Sequence, residues 1–253
     1  MPQQVRIFNS PIDWHQFGDK QIFVGEAVEE EFGYQMSVAF AQFAAGEGDD
    51  VPAPYDEVWV VTEGALTVRG DGYTVHAQKG DLVHIPEGSP GVVEADQDLE
   101  LVLAAHPPRW TLAHHDWAKV RAQPRQDARP HHFPATVPTT GVSHTGNGHP
   151  MTVAFAAADD LGGSHLDMGL GRVREDAVLE FTVPHDEVVV AIDVGFTVGA
   201  DGNSLGVGPG SFAYLPGGVT VTFHAYRDAT LAFASHSQTT GTTAGTTAIR
   251  HAL

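Results

Sequence analysis

The chain repeats itself. Pro54-Tyr55-Asp56-Glu57 returns 130 residues later as Pro184-His185-Asp186-Glu187. At the same offset Asp71-Gly72 returns as Asp201-Gly202, Gly80 as Gly210, Pro86-Glu87-Gly88 as Pro216-Gly217-Gly218, and His106 as His236. An offset that stays constant over about fifty positions leaves no room for insertion or deletion between the copies, which is the signature of internal duplication. It predicts the same fold twice. The 253 residues then divide into an N-terminal domain (1–108), a connector (109–150), a C-terminal domain (151–237) and a tail (238–253).

Within each copy the elements are short and punctuated by Gly, Pro and Asp. Val5–Phe8, Gln21–Val28, Met36–Phe43, Tyr73–Ala77, Leu82–Ile85 and Leu99–Ala105 read as strands, and Val58–Val68 as two strands around a turn at Gly64. Asp71-Gly72 suits a tight hairpin because Asp-Gly tolerates positive φ. Many short strands without sustained helical periodicity predict an all-β chain of antiparallel barrels or sandwiches. The one helix expected is Asp116–Ala122, with Asp116 as N-cap and Pro124 beyond its end. Trp110, Leu112 and Trp117 predict that the connector packs onto a barrel. The Thr- and Gly-rich stretch from 238 onward reads as a mobile tail.

Thirty-two acids against 13 bases leave a net charge of −19, which repels nucleic acid and anionic membranes. There are no cysteines, so disulfides, thiolate nucleophiles and Cys-ligated metals are excluded. No apolar run has the length of a membrane span, and Met1–Arg6 lacks an apolar signal core, so the cytoplasm is the expected location. GxGxxG, Walker and GxSxG sequences are missing.

Glu57 followed at Gly64 by a glycine turn, and then Gly80-Asp81-Leu82 leading into Ile85-Pro86-Glu87-Gly88, resembles the two signature motifs of the cupin superfamily. Tyr55-Asp56-Glu57-Val58 and Val61-Thr62-Glu63-Gly64 are similar in particular to the EutQ-like cupins of ethanolamine utilisation. The second copy departs at Val194, with Gly195 beside it, and at Ser211. The resemblance implies two tandem cupin-type antiparallel β-barrels, a bicupin. It also implies where a metal would be held in such barrels. Those positions carry Val51, Ala53 and Gly91 in the first copy and Phe181, Val183 and Val221 in the second, and only Glu57 and Glu187 remain as donors. No cofactor is therefore expected, since one carboxylate does not retain a transition metal against water.

If Glu57 faces the barrel interior, as the resemblance implies, strand alternation puts Tyr55 and Trp59 on the same side, and His185 beside Glu187. Desolvated carboxyls next to Tyr or His are candidate acid/base pairs, so Tyr55, Glu57, His185 and Glu187 are the candidate catalytic residues. Trp59, His84, His106, Tyr214 and His236 are the candidate substrate-binding residues. A rearranged metal site would draw on His185 and Glu187 with His224, His236 or His165 as third ligand. The doublets His114-His115 and His131-His132 chelate poorly, because neighbouring strand residues face opposite ways.

These readings make the chain a small-molecule enzyme of lyase, isomerase or hydrolase type, working by acid/base chemistry without the usual cupin metal. A non-catalytic small-ligand-binding or sensing bicupin, and a metalloenzyme with a rearranged site in the C-terminal barrel, are the alternatives. The expected partners are a small-molecule ligand and a second copy of the chain in a homodimer, with no nucleic acid and no membrane.

Overall fold

The computed structural model describes residues 4–112, 117–142, 151–158, 160–200 and 202–236. The tail, His114-His115 and the Asp116 cap lie outside them, and the connector helix is described as Trp117–Ala122. Each copy forms two antiparallel sheets, one of seven strands and one of four. In the N-terminal copy the large sheet runs His131–Phe133, Leu82–Ile85, Asp56–Glu63, Leu99–His106, Ser37–Phe43, Ile22–Val28, His15–Gln16. In the C-terminal copy it runs Arg6–Phe8, Phe212–Leu215, Glu187–Ala191, Ala229–His236, Leu166–Val173, Met151–Ala156, Thr140–Val142. The orders correspond strand for strand, so the fixed offset in the sequence is a repeat in the fold.

Side-chain alternation explains why the sheets close on each other. Trp59, Val61, Val83, Ile85, Leu101 and Leu103 of the large N-terminal sheet meet Leu66, Val68, Ala77 and Val93 of the small one in a single core. Val189, Ala213, Leu215, Leu231 and Phe233 meet Val198, Val207, Val221 and Phe223 in the other. All are odd-numbered in their large-sheet strands, and a one-residue slip would turn the whole apolar set outward. Gly64 joins Asp56–Glu63 to Ala65–Gly70 at a φ of 77°, and a side chain there would drive into the Asp98 carbonyl.

Two edge strands come from outside the repeated stretch. Arg6–Phe8 pairs antiparallel with Phe212–Leu215, and Phe8 stacks on Phe212 with ring centroids 4.9 Å apart. His131–Phe133, from the connector, pairs with Leu82–Ile85. Contacts accordingly group residues 10–135 into one compact unit, and residues up to 9 with those from 136 onward into the other. Connector packing follows the expectation at Leu112, which is buried against Tyr55 and Ala105. Among the described residues no helix is long and apolar enough to cross a membrane.

Candidate functional site

Register places the interior residues row by row. In the N-terminal unit Ser37, Ala105, Glu57 and Ile85 lie side by side across four strands. The next row inward holds Glu26, Ala39, Leu103, Trp59 and Val83. Ala39, Leu103 and Trp59 belong to the core, so Glu57, two residues before Trp59, faces the interior and is 6% exposed. The corresponding row of the C-terminal unit is Asp167, Ser235, Glu187 and Leu215.

The two glutamates are met differently. Trp59 donates its indole N–H to Glu57 Oε2 at 2.5 Å, and Arg109 donates to Glu57 Oε1 at 3.0 Å. Arg109 also donates to Glu26 Oε1 at 2.6 Å and lies over the Tyr55 ring, 5.3 Å from its centroid. The turn after His106-Pro107-Pro108 becomes a 3-10 helix, Arg109–Leu112, which carries the guanidinium back over the barrel end. Burial pushes Glu57 above the ordinary carboxylate range, and Arg109 and the Trp59 hydrogen bond offset only part of that rise. Burial works against Arg109's charge, but Tyr55, Glu57 and Glu26 more than restore it. Burial, then the charge of Glu57, pushes the Tyr55 phenol up, so it stays neutral.

Glu187 is 1% exposed and neither of its carboxyl oxygens has a hydrogen-bond partner. The Ser235 hydroxyl beside it is also unpartnered. Burial pushes Glu187 up to about 8, and the charge of Asp167 adds to the rise. Asp167, itself buried, accepts the Ala158 amide at 2.6 Å.

Several candidates fall on the other face. Val83 and Ile85 are core residues, so His84 between them points away from the Glu57 row; Ala213 and Leu215 do the same for Tyr214. His106 and His236 end strands whose interior residues are Ala105 and Ser235, and they too lie on the second face. Four of the five residues read as substrate-binding are thus apart from the interior glutamates, and Trp59 alone touches one. His106 instead bonds the Gln35 carbonyl through Nδ1 at 2.9 Å, and burial pushes His84 down to about 4. Tyr214 donates to Asp186 Oδ2 at 2.7 Å, while Asp186 Oδ1 accepts the Gly217 amide at 2.9 Å. Asp56 accepts the Glu87 amide at 2.8 Å in the same way, so the motif aspartates hold the Pro-x-Gly turns. His185 is half-buried at a bend just before the Glu187 strand, where strand alternation no longer sets its direction.

The rearranged metal site does not assemble around His224. Phe223 is a core residue, so His224 lies on the opposite face, its ring tilted against Tyr226 with centroids 4.1 Å apart. His165 is exposed, just before Leu166–Val173. His132 pairs with Asp81 at 3.0 Å, which fixes the edge strand. Among the described residues no three His, Asp or Glu converge as ligands. At the positions where metal-binding relatives carry imidazoles, Val51, Val183 and Val221 are core residues and Phe181 stacks on Phe223. The donor set does not fit a transition metal.

Arg109, Glu26, Asp167 and Ser235 escaped the sequence reading. Arg109 follows a proline pair that looks like a domain exit, and nothing local marks its return. Ser235 sits one strand away from Glu187 and Asp167 two, a relation that only register reveals.

A duplicated pair of sheets with paired interior glutamates is the architecture of a two-domain cupin, and the fold of this chain is that of a bicupin. Residues 28–112 match the family model of the ethanolamine utilisation protein EutQ, so the first domain is EutQ-like. The chain is 33% identical over 89 residues to a protein named acetate kinase EutQ of Salmonella typhimurium, and 38% identical over 56 residues to its Escherichia coli namesake. These matches take in 34% and 22% of this chain, and only 37% and 24% of the relatives' lengths. Among solved structures, a Pseudomonas aeruginosa protein described as glyoxylate-induced aligns at TM-score 0.69 and 13% identity, over 92% of this chain and 88% of its own. The Escherichia coli protein Ylba aligns at 0.67 and 10%, over 92% and 91%. A Bacillus subtilis oxalate decarboxylase aligns at 0.59 and 14%, over 91% and 76%. At these identities the structures share the fold.

Proposed function

We propose that the protein is a small-molecule enzyme whose C-terminal barrel works by acid/base catalysis, in the lyase, isomerase or hydrolase class, without a bound metal. The observation that carries this reading is Glu187: a buried carboxyl, unpartnered at both oxygens and pushed up to about 8. A carboxylic acid still protonated near neutrality gives a proton to a developing anion, and its conjugate base takes one back. Asp167 helps keep that proton in place by repelling a second negative charge. Ser235 is a hydroxyl within the same row for orienting a bound oxygen or nitrogen.

The N-terminal barrel has the other role. Glu57 has a donor at each oxygen and a guanidinium beside it, so it orders Arg109 and Trp59. Its proposed role is to bind or support rather than to transfer protons. The kinase activity in the relatives' names is not carried over. The segment that matches the EutQ family model is residues 28–112, within this barrel, and the sequence has no Walker motif. A non-catalytic ligand-binding role is the second reading, favoured for the N-terminal barrel by its satisfied glutamate.

Carboxyl-labelled glutamate and NMR titration test the proposal directly. The resonance lost in Glu187→Gln should titrate near pH 8. A midpoint below about 6 leaves no proton to donate at neutrality and ends the acid role.

A further inference from the structure

Val178–Thr182 is an edge strand of the small sheet in the C-terminal unit, and it pairs with Thr220–His224 on one side only. Its inward residues are firmly seated: Leu179 belongs to the core, and Phe181 stacks on Phe223 with centroids 5.5 Å apart. Register and the flanking hydrogen bonds fix which backbone groups the sheet uses. Ala225 donates to the Ala177 carbonyl at 3.2 Å and Val183 to the Val219 carbonyl at 2.9 Å, with Leu179 opposite Phe223 and Phe181 opposite Val221 between them. The odd residues therefore bond into the sheet, and Val178, Glu180 and Thr182 turn their N–H and C=O groups to the open edge. Among the described residues none bonds those backbone groups, and all three side chains are exposed.

The N-terminal copy closes the same edge. Gly48–Asp50 begins 130 residues earlier (178 − 130 = 48), and there the Lys20 ammonium donates to the Gly48 carbonyl at 2.7 Å and to Asp49 at 2.9 Å. A lysine laid on an edge strand guards it against strand addition. Among the described residues no Lys, Arg or His pairs with Glu180 at the centre of the C-terminal edge. Val178 is 40% exposed at its start, opposite His224, whose ring leans on the exposed Tyr226. Free ladder groups, a central carboxylate and an apolar end, on a chain of net charge −19, complement an extended segment with a basic residue among β-branched ones. A second copy fits worse, because antiparallel self-pairing centred on this strand sets Glu180 against Glu180.

We propose that Val178–Thr182 is a docking edge for an extended basic segment of another protein, added antiparallel as a fifth strand of the small sheet. The partner's Lys or Arg lies across from Glu180 and an apolar residue across from Val178. Ladder hydrogen bonds hold its backbone, as Lys20 holds the Gly48 carbonyl in the other copy. The edge belongs to the small sheet and Glu187 to the large one, so docking does not depend on the acid/base reading.

Fluorescence anisotropy of fluorescein-labelled Thr-Thr-Lys-Thr-Val-amide with the full chain, at neutral pH and low salt, tests this. Saturable binding is expected with a dissociation constant on the order of 0.1–1 mM, because the added strand is short. Methylating the peptide's third and fifth backbone nitrogens keeps its side chains and should weaken binding at least about tenfold. Exchanging the peptide's Lys for Glu should weaken binding about tenfold, and Glu180→Lys should bring the Glu peptide back to within about threefold of the original pair. Asp50→Asn, on the guarded edge, should stay within about twofold. Amide exchange at Val178, Glu180 and Thr182 should slow in the complex and stay unchanged at Gly48–Asp50. Absence of saturation, equal binding of the methylated peptide, or protection at Gly48–Asp50 instead would overturn the proposal. Protection of Val178–Thr182 that grows with protein concentration before peptide is added would give the edge to a second copy, and overturn it too. The peptide comparisons use the unaltered chain, so they decide the matter if Glu180→Lys does not fold.

Discussion

Glu57 and Glu187 occupy the same place in the repeat and live in opposite electrostatic settings. Glu57 is neutralised by a guanidinium, whereas Glu187 is neutralised by holding its proton. The difference is measurable as stability. A carboxyl whose pKa rises on folding stabilises the native state below its unfolded value, and that contribution fades as pH climbs through the folded one. For Glu187 the window runs from the ordinary carboxyl value of 4.5 up to about 8. The neutral Glu187→Gln variant should lack this loss. By denaturant titration it should be about 2–4 kcal/mol more stable than the parent at pH 9 and close to it at pH 4. Arg109→Met makes the complementary prediction. It strands Glu57 as a buried charge and should cost about 2–4 kcal/mol, most of which returns when Glu57→Gln is added. If the double variant is as unstable as the single, the pair is not what Arg109 contributes.

At the scale of elements, the edge strands carry information out of proportion to their length. Arg6–Phe8 completes the C-terminal large sheet and His131–Phe133 the N-terminal one, each beside the strand that enters the Pro-x-Gly turn. Phe8→Ala removes the ring stacked on Phe212 and should cost about 1–2 kcal/mol. Hydrogen exchange should rise at Phe212–Leu215 and stay unchanged at Leu82–Ile85; equal acceleration at both would refute the assignment of this strand to the C-terminal unit. The second face of the large sheets shows how alternation sorts histidines that look equivalent in sequence. His84, His106 and His236 are one residue out of phase with the interior rows. A strand turns each successive side chain by half a revolution, so they face away from the glutamates they were expected to join.

Across the whole molecule the two copies keep one framework and surround its two glutamates differently. The proposed chemistry belongs to the C-terminal barrel. Deuterium uptake by small carbon acids in D2O, followed by NMR, should therefore fall about 100-fold in Glu187→Gln and change less than about twofold in Glu57→Gln. The reverse pattern would move the active barrel to the N-terminal copy. The duplication, the all-β architecture and the Pro-x-Gly turns were legible in the sequence, because each rests on local spacing: a fixed offset, a period of two, a turn residue where φ must be positive; the inward glutamates followed from the cupin resemblance. The partners of those glutamates were not. Arg109 reaches Glu57 from 52 positions away, and Ser235 and then Asp167 fall in line with Glu187 only through the pairing of three strands. Strand order and register are set by how the entire apolar face closes against its opposite sheet. Whether a carboxyl holds a cation or a proton was therefore a question for the tertiary structure.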